Sequence, residues 1–348
     1  MRTNAARSSG NSPRATLGHI NFRGATDFME AETRRSIASR LSPWLLCLVA
    51  FSPVLTGAEP ADATRDPVQR AQSFWLAVAR DCEVPPGETA FGLVSEAVGK
   101  LGSPDPVWRD DIGYGVVVSC VYRKELLSGE ERRALVQRLS GNLESGIGQT
   151  NDDSVLLRSF SALDLSVLAA MELQAPVLSD ADYRQLLNDA LRYLDDERDL
   201  RGFEPRVGWI HATAHTADLL KFLARDPRFG PADQGRLLEA VWLRMTSAEV
   251  PVFTHAEDER LAAAVLSVIR RTDFDAALLG PWLGKFVQLE KDTWAVTPPR
   301  VDALAASQNA RNLLRSLYAL LSMPEPEPAG GQLAAREAVL GALQRIRR

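Results

Sequence analysis

Ser179-Asp180-Ala181-Asp182-Tyr183-Arg184-Gln185-Leu186-Leu187-Asn188-Asp189-Ala190-Leu191-Arg192-Tyr193-Leu194 decides the fold. Tyr183, Leu186, Leu187, Ala190, Leu191 and Leu194 recur at helical spacing and share one face of an α-helix. Ser179 and Asp182 open it. The pattern extends both ways. Asp66 before Pro67 is an N-cap with proline at the first helical position, opening a segment to about Arg80. Segments at about 88–100 and 105–125 follow. Ser128 and Glu131 make a capping box ahead of a helix over 132–143. Asn151 or Asp152 caps a segment running to about Leu173. Later helices read at about 209–225, 231–247, 255–271, 274–290, 299–323 and 332–347. Val116-Val117-Val118 suits a strand, but its helical neighbours argue against one. The expectation is an all-α fold of about ten or eleven helices. They form stacked antiparallel pairs, either solenoid-like or as an irregular helical bundle.

The domain of that fold spans 59–323. Pro324-Glu325-Pro326-Glu327-Pro328-Ala329-Gly330-Gly331 reads as an extended linker, and 332–348 as a C-terminal helix. Apolar residues make up 45% of the 348 and charged residues 24%, which supports a packed core and excludes a disordered chain. A net charge of −5 offers no footprint for nucleic acid or an anionic membrane.

Residues 1–58 stand apart. Arg34, Arg35 and Arg40 precede Trp44-Leu45-Leu46-Cys47-Leu48-Val49-Ala50-Phe51, and Thr56-Gly57-Ala58 follows with small residues. This is the order of a secretory signal, cleaved after Ala58, with translation starting at Met29. An organelle transit peptide shares the Arg-rich, acid-poor bias of the first residues, but the continuous apolar run favours secretion. That run is too short for a stable anchor. The product is expected to be periplasmic or secreted, without a membrane anchor. Cys82 and Cys120 then either pair or stay apart, with Cys120 as a buried apolar thiol.

Chemistry concentrates in Gly208-Trp209-Ile210-His211-Ala212-Thr213-Ala214-His215-Thr216-Ala217-Asp218-Leu219-Leu220. On a helix, His211, His215 and Asp218 fall on one narrow stripe. The rest of that helix is apolar nearly all round, so it is buried and its polar groups need partners. A divalent metal such as zinc, metal-free acid–base work on a small polar ligand, or a purely structural network each satisfies the stripe. The metalloprotease pattern His-Glu-x-x-His is absent.

His255 lies in Phe253-Thr254-His255-Ala256-Glu257-Asp258-Glu259-Arg260-Leu261. Thr254 and Glu257 suggest a capping box that sets His255 at the first helical position, a third imidazole for the site. Glu257 and Asp258 suit the helix dipole there. Asp195-Asp196-Glu197-Arg198-Asp199-Leu200-Arg201-Gly202-Phe203 is either a helix end with surface ion pairs or a site mouth where Arg198 or Arg201 holds an anion. Arg158-Ser159-Phe160-Ser161 lacks a nucleophile elbow, so helix–helix hydrogen bonding is its expected role. Trp209, Asp199, Arg201, Arg158, Glu257 and Asp258 are supporting residues around His211, His215, Asp218 and His255.

Several of these stretches resemble a bacterial family named only as a domain of unknown function, twenty-seven eighty-five in that series. They are Leu101-Gly102-Ser103-Pro104-Asp105-Pro106, Arg158-Ser159-Phe160-Ser161-Ala162-Leu163, Asp199-Leu200-Arg201-Gly202-Phe203, Gly208 through Leu220, and His255-Ala256-Glu257-Asp258-Glu259-Arg260-Leu261. Thr216 stands where the resemblance leads one to expect glycine. The resemblance implies an all-helical fold and supplies no activity. Two functions stay open. One is a secreted metal-dependent hydrolase-type enzyme or small-ligand protein. The other is a helical-repeat scaffold that binds protein and in which the His/Asp cluster only organises the core.

Overall fold

Helix starts follow their local chemistry. Ser128 accepts from the Glu131 amide while Glu131 accepts back from Ser128, and Ser179 and Asp182 repeat the exchange one helical pair later. Thr89 caps the helix after it. The computed structural model describes residues 70–247, 250–323 and 330–346. Among them are twelve helices. They are α1 (Gln72–Asp81), α2 (Ala90–Val98), α3 (Val107–Tyr114, Gly115–Val117 and Val118–Arg123 in one run, its ends wound in wide π turns), α4 (Gly129–Asn142), α5 (Ser154–Glu172), α6 (Asp180–Asp196), α7 (Ala212–Leu223), α8 (Pro231–Thr246), α9 (Glu257–Ile269), α10 (Leu279–Trp294), α11 (Val301–Ser322) and α12 (Gly330–Arg345). The fold is all-α. Its one sheet among the described residues pairs β1 (Phe203–Glu204) with β2 (Gly208–Trp209), antiparallel.

The helices stack in two rows. α5, α7, α9 and α11 follow one another in the inner row, and α4, α6, α8 and α10 in the outer. Each outer helix also packs on the inner helix that follows it in sequence. The inner helices therefore bury their apolar faces mainly on their row neighbours and the outer helices largely on the inner row, the arrangement of a helical solenoid. The inner row holds the core. α7 is buried along its whole length, and α5 at every position from Val155 to Glu172 but Leu157. The α5 sequence is long and apolar enough to cross a membrane, with a mean hydropathy of 1.5, but 89% of that window is buried inside the fold. It is a second hydrophobic segment that the sequence reading passed over, and its partners are other helices. At one end, Cys82, left-handed after α1, is bonded to Cys120 of α3, with 5.2 Å between Cα atoms.

Several expected boundaries move. The helix expected from Asp66 starts at Gln72, with Asp66 and Pro67 outside the described residues. The segment expected to be helical from 209 begins at Ala212, because Gly208 and His211 both adopt left-handed backbone and Trp209 is in a strand. The helix expected from 255 begins at Glu257, behind a left-handed Ala256. The Thr254–Glu257 capping box does not form; Glu257 instead accepts from the His255 amide. Gly330 and Gly331, assigned to the linker, already belong to α12. The leader over 1–58 and the linker residues 324–329 lie outside the described residues.

Candidate functional site

The segment from Asp199 to His211 is where the sequence motifs meet. Val207 donates to Glu204 O at 3.2 Å and closes the turn between β1 and β2. Ile210 donates to Gly202 O (2.9 Å) and His211 to Arg201 O (3.2 Å), so the hairpin continues past both strands. Arg109, fully buried, fixes it from below: Nη1 donates to Ser103 O (3.0 Å) and Nη2 to Val207 O (2.8 Å). The guanidinium also covers the Phe160 ring at 4.7 Å and pairs with Asp110 at 2.7 Å. Arg158 binds Glu197 through two nitrogens, at 2.7 and 3.2 Å, and anchors the hairpin's entry. Gly202 is pressed against the start of α9. A Cβ there would stand 2.5 Å from His255 Nδ1 and 2.6 Å from Glu257 Oε1. Only glycine permits that approach.

The histidine stripe is bonded internally. His211 Nε2 lies 2.7 Å from His255 O, and a carbonyl only accepts, so Nε2 carries the proton. Its Nδ1 is buried with no partner. The ring stacks on Trp209 at 4.6 Å. Ser159 Oγ donates to Ile210 O. His215 Nδ1, 2.8 Å from that Oγ and 3.2 Å from Ser159 O, must then be the donor. Ser159 has no proton left to give His215, so the pair is not a nucleophile and its base. Burial lowers His211 to about 4 and His215 well below its usual range, so both are neutral at neutral pH. Asp218 pairs with Arg260 and, at 3.4 Å, with Lys221.

These contacts bear on the metal expectation. The His211 and His255 ring centroids are 6.4 Å apart, and the Nδ1 of His215 and the Asp218 carboxylate are already engaged. Among the described residues no group of three or more His, Cys, Asp or Glu side chains is arranged to hold a metal ion. The donor set does not fit zinc, because its members turn toward protein rather than toward one point.

The open space lies beside the stripe. A cleft of about 880 Å³ runs along the connectors that lead into α5, α7 and α9. His255 and Glu257 line it together with Asp199, Arg201, Arg198 and Arg244. Leu243 and Phe253 add apolar surface. Glu257 is nearly inaccessible, and burial lifts its carboxyl above the usual range against the pull of the Glu257 and His255 amides. His255 is half-buried, its Nδ1 3.1 Å from Thr254 Oγ1. Arg201 is saturated: Asp199 takes Nε and Nη2 at 2.8 and 2.7 Å, and Glu204 takes Nη1 at 2.9 Å.

The structure thus brings His255, Glu257, Asp199 and Arg201 to the cleft, with Trp209 and His211 behind His255. His215, Asp218 and Arg158 belong to the packing beneath. Asp258 points elsewhere, to Ser316 Oγ on α11 at 2.9 Å. Sequence reasoning missed Arg109 and Arg244. Arg244 had a signal: with Leu237 and Val241 it repeats at i, i+4 and i+7, which puts an arginine on the buried face of α8. Arg109 had none, because the Val207 carbonyl it serves is set by a turn far along the chain. No curated protein and no solved structure matches the chain. Residues 143–319 match the family described as "Protein of unknown function (DUF2785)", and the chain belongs to that family.

Proposed function

We infer that the protein binds a small polar ligand in the cleft beside His255, and that Glu257 and His255 handle protons there in a hydrolase-type reaction. The observation that carries this reading is Glu257 itself. A carboxyl group held above its ordinary range by burial, on the wall of an open cleft and next to an imidazole, is suited to hold or pass on a proton more readily than a solvated carboxylate. The cleft volume falls within the usual range for small-molecule sites. A site in an oxidising compartment, periplasmic or secreted, is part of the proposal, and the Cys82–Cys120 bond supports it. The scaffold alternative accounts for the stripe, whose members are bonded to protein, but it leaves the cleft unexplained.

A panel of neutral sugars, amino acids and dipeptides, screened by saturation-transfer NMR on the full chain, tests the reading. At least one class is expected to bind. Glu257→Gln keeps an acceptor for the His255 amide and should retain the fold while weakening binding or abolishing turnover. Unchanged binding and turnover in Glu257→Gln and His255→Ala would count against the site.

A further inference from the structure

Arg244 is buried at 4% exposure on the cleft wall, yet it forms no ion pair among the described residues. Its Nη1 donates to Glu197 O at 3.0 Å, and its Nε is buried without a partner. The nearby Glu197 carboxylate is already committed: Arg158 takes both oxygens, and the Asp199 amide donates to Oε1 at 2.9 Å. Arg198, exposed along the same cleft, donates to Asp195 O and pairs with no carboxylate among the described residues. Burial first, and the Arg198 guanidinium second, push Arg244 down to about 10, against the pull of the Glu197 and Asp195 carboxylates, neither of which bonds to it. A desolvated guanidinium whose Nε–H meets no acceptor is costly to hold, and an anion in the cleft would lower that cost.

We propose that Arg244 and Arg198 form an anion-binding subsite that holds the carboxylate or phosphate group of a small ligand while His255 and Glu257 face its remainder. The proposal rests on the cleft being a ligand site and adds the charge of the ligand. Guanidinium forks bind both anions through paired, charge-assisted hydrogen bonds. The sequence pointed to Arg198 or Arg201 for such a role; Arg201 is excluded by its three bonds to Asp199 and Glu204.

Arginine Nε–Hε spectra of the ¹⁵N-labelled full chain test this directly. Inorganic phosphate, succinate and neutral succinamide are titrated in turn at constant ionic strength. Saturable movement of the Arg244 signal by phosphate or succinate is the expected result, and which of the two acts identifies the group. Arg198→Gln, a surface change, should weaken that anion at least about tenfold, the loss of one charged hydrogen bond. Arg244→Gln, checked for an unchanged unfolding midpoint, should do the same. If no anion moves the Arg244 signal, or Arg198→Gln binds as the parent does, the subsite is overturned. If succinamide alone binds, moving the His255 amide in the backbone spectrum of the same labelled chain but not the Arg244 signal, the subsite falls and the cleft reading stands.

Discussion

Asp164 shows at the scale of one residue how far burial governs charge here. It sits in the middle of α5, fully buried, and neither carboxylate oxygen has a hydrogen-bond partner among the described residues. Desolvation holds its pKa well above the ordinary 3.8. The folded chain therefore keeps a proton that the unfolded chain gives up. Stability from this group is complete below pH 3.8 and falls as the pH rises toward the folded value. Asp164→Asn removes that penalty, so its unfolding free energy should exceed the parent's by more at pH 7 than at pH 4 in urea titrations. His211 works in the opposite sense. Unfolded, it titrates near 6.5; folded, burial holds it at about 4. Its contribution is complete above pH 6.5 and is lost as the pH falls toward 4, on the order of 3 kcal/mol in all. His211→Phe keeps the stacking on Trp209 but cannot be protonated. Its stability should therefore decline less than the parent's between pH 6.5 and pH 4, measured by the same titration.

At the scale of the element, the hairpin between α6 and α7 is the informative case. Arg109 serves two carbonyls that no other donor reaches among the described residues, and its charge answers the largely buried Asp110. Arg109→Ala strands the carboxylate and the Val207 carbonyl together. The expected cost is about 3–5 kcal/mol, read from chemical denaturation, with greater loss than Arg206→Ala on the exposed side. The helices themselves were legible because each carries its own apolar face and, at Ser128 and Ser179, its own cap. The hairpin was not. Trp209 and Ile210 continue the apolar pattern of α7 backwards, and nothing local says that Gly208 and His211 turn left-handed. That choice is made by Arg109 and by the ladder from Arg201 and Gly202, which are distant in sequence or in the opposite arm. For the same reason the stripe of His211, His215 and Asp218 was legible as buried, while the sequence could not say whether a metal, a ligand or the protein itself answers it. Its partners come from two other parts of the chain: Ser159 from α5, and the His255 carbonyl and Arg260 from around the start of α9. Conversely, the closeness of Asp199–Phe203 to His255–Glu257 could only be found in three dimensions.

For the whole molecule, the two rows mean that stability is spread over contacts between neighbouring helices. The Cys82–Cys120 bond acts on the first helices, closing a separation of 38 residues. In the chain-entropy account such a closure stabilises by about 4 kcal/mol. Replacing both cysteines by alanine should lower the unfolding free energy by up to that amount. The cleft takes no lining residue from α1 or α3 and should keep its ligand response by saturation-transfer NMR. The connectors into α5, α7 and α9 all border that cleft. They belong to three consecutive helix pairs, so the width of the gap depends on the pitch with which one pair follows the next. Anything lodged there acts as a strut between neighbouring treads of a spiral stair: it cannot tighten on its contacts without stiffening the stair, and a stair bent by other means must loosen its grip.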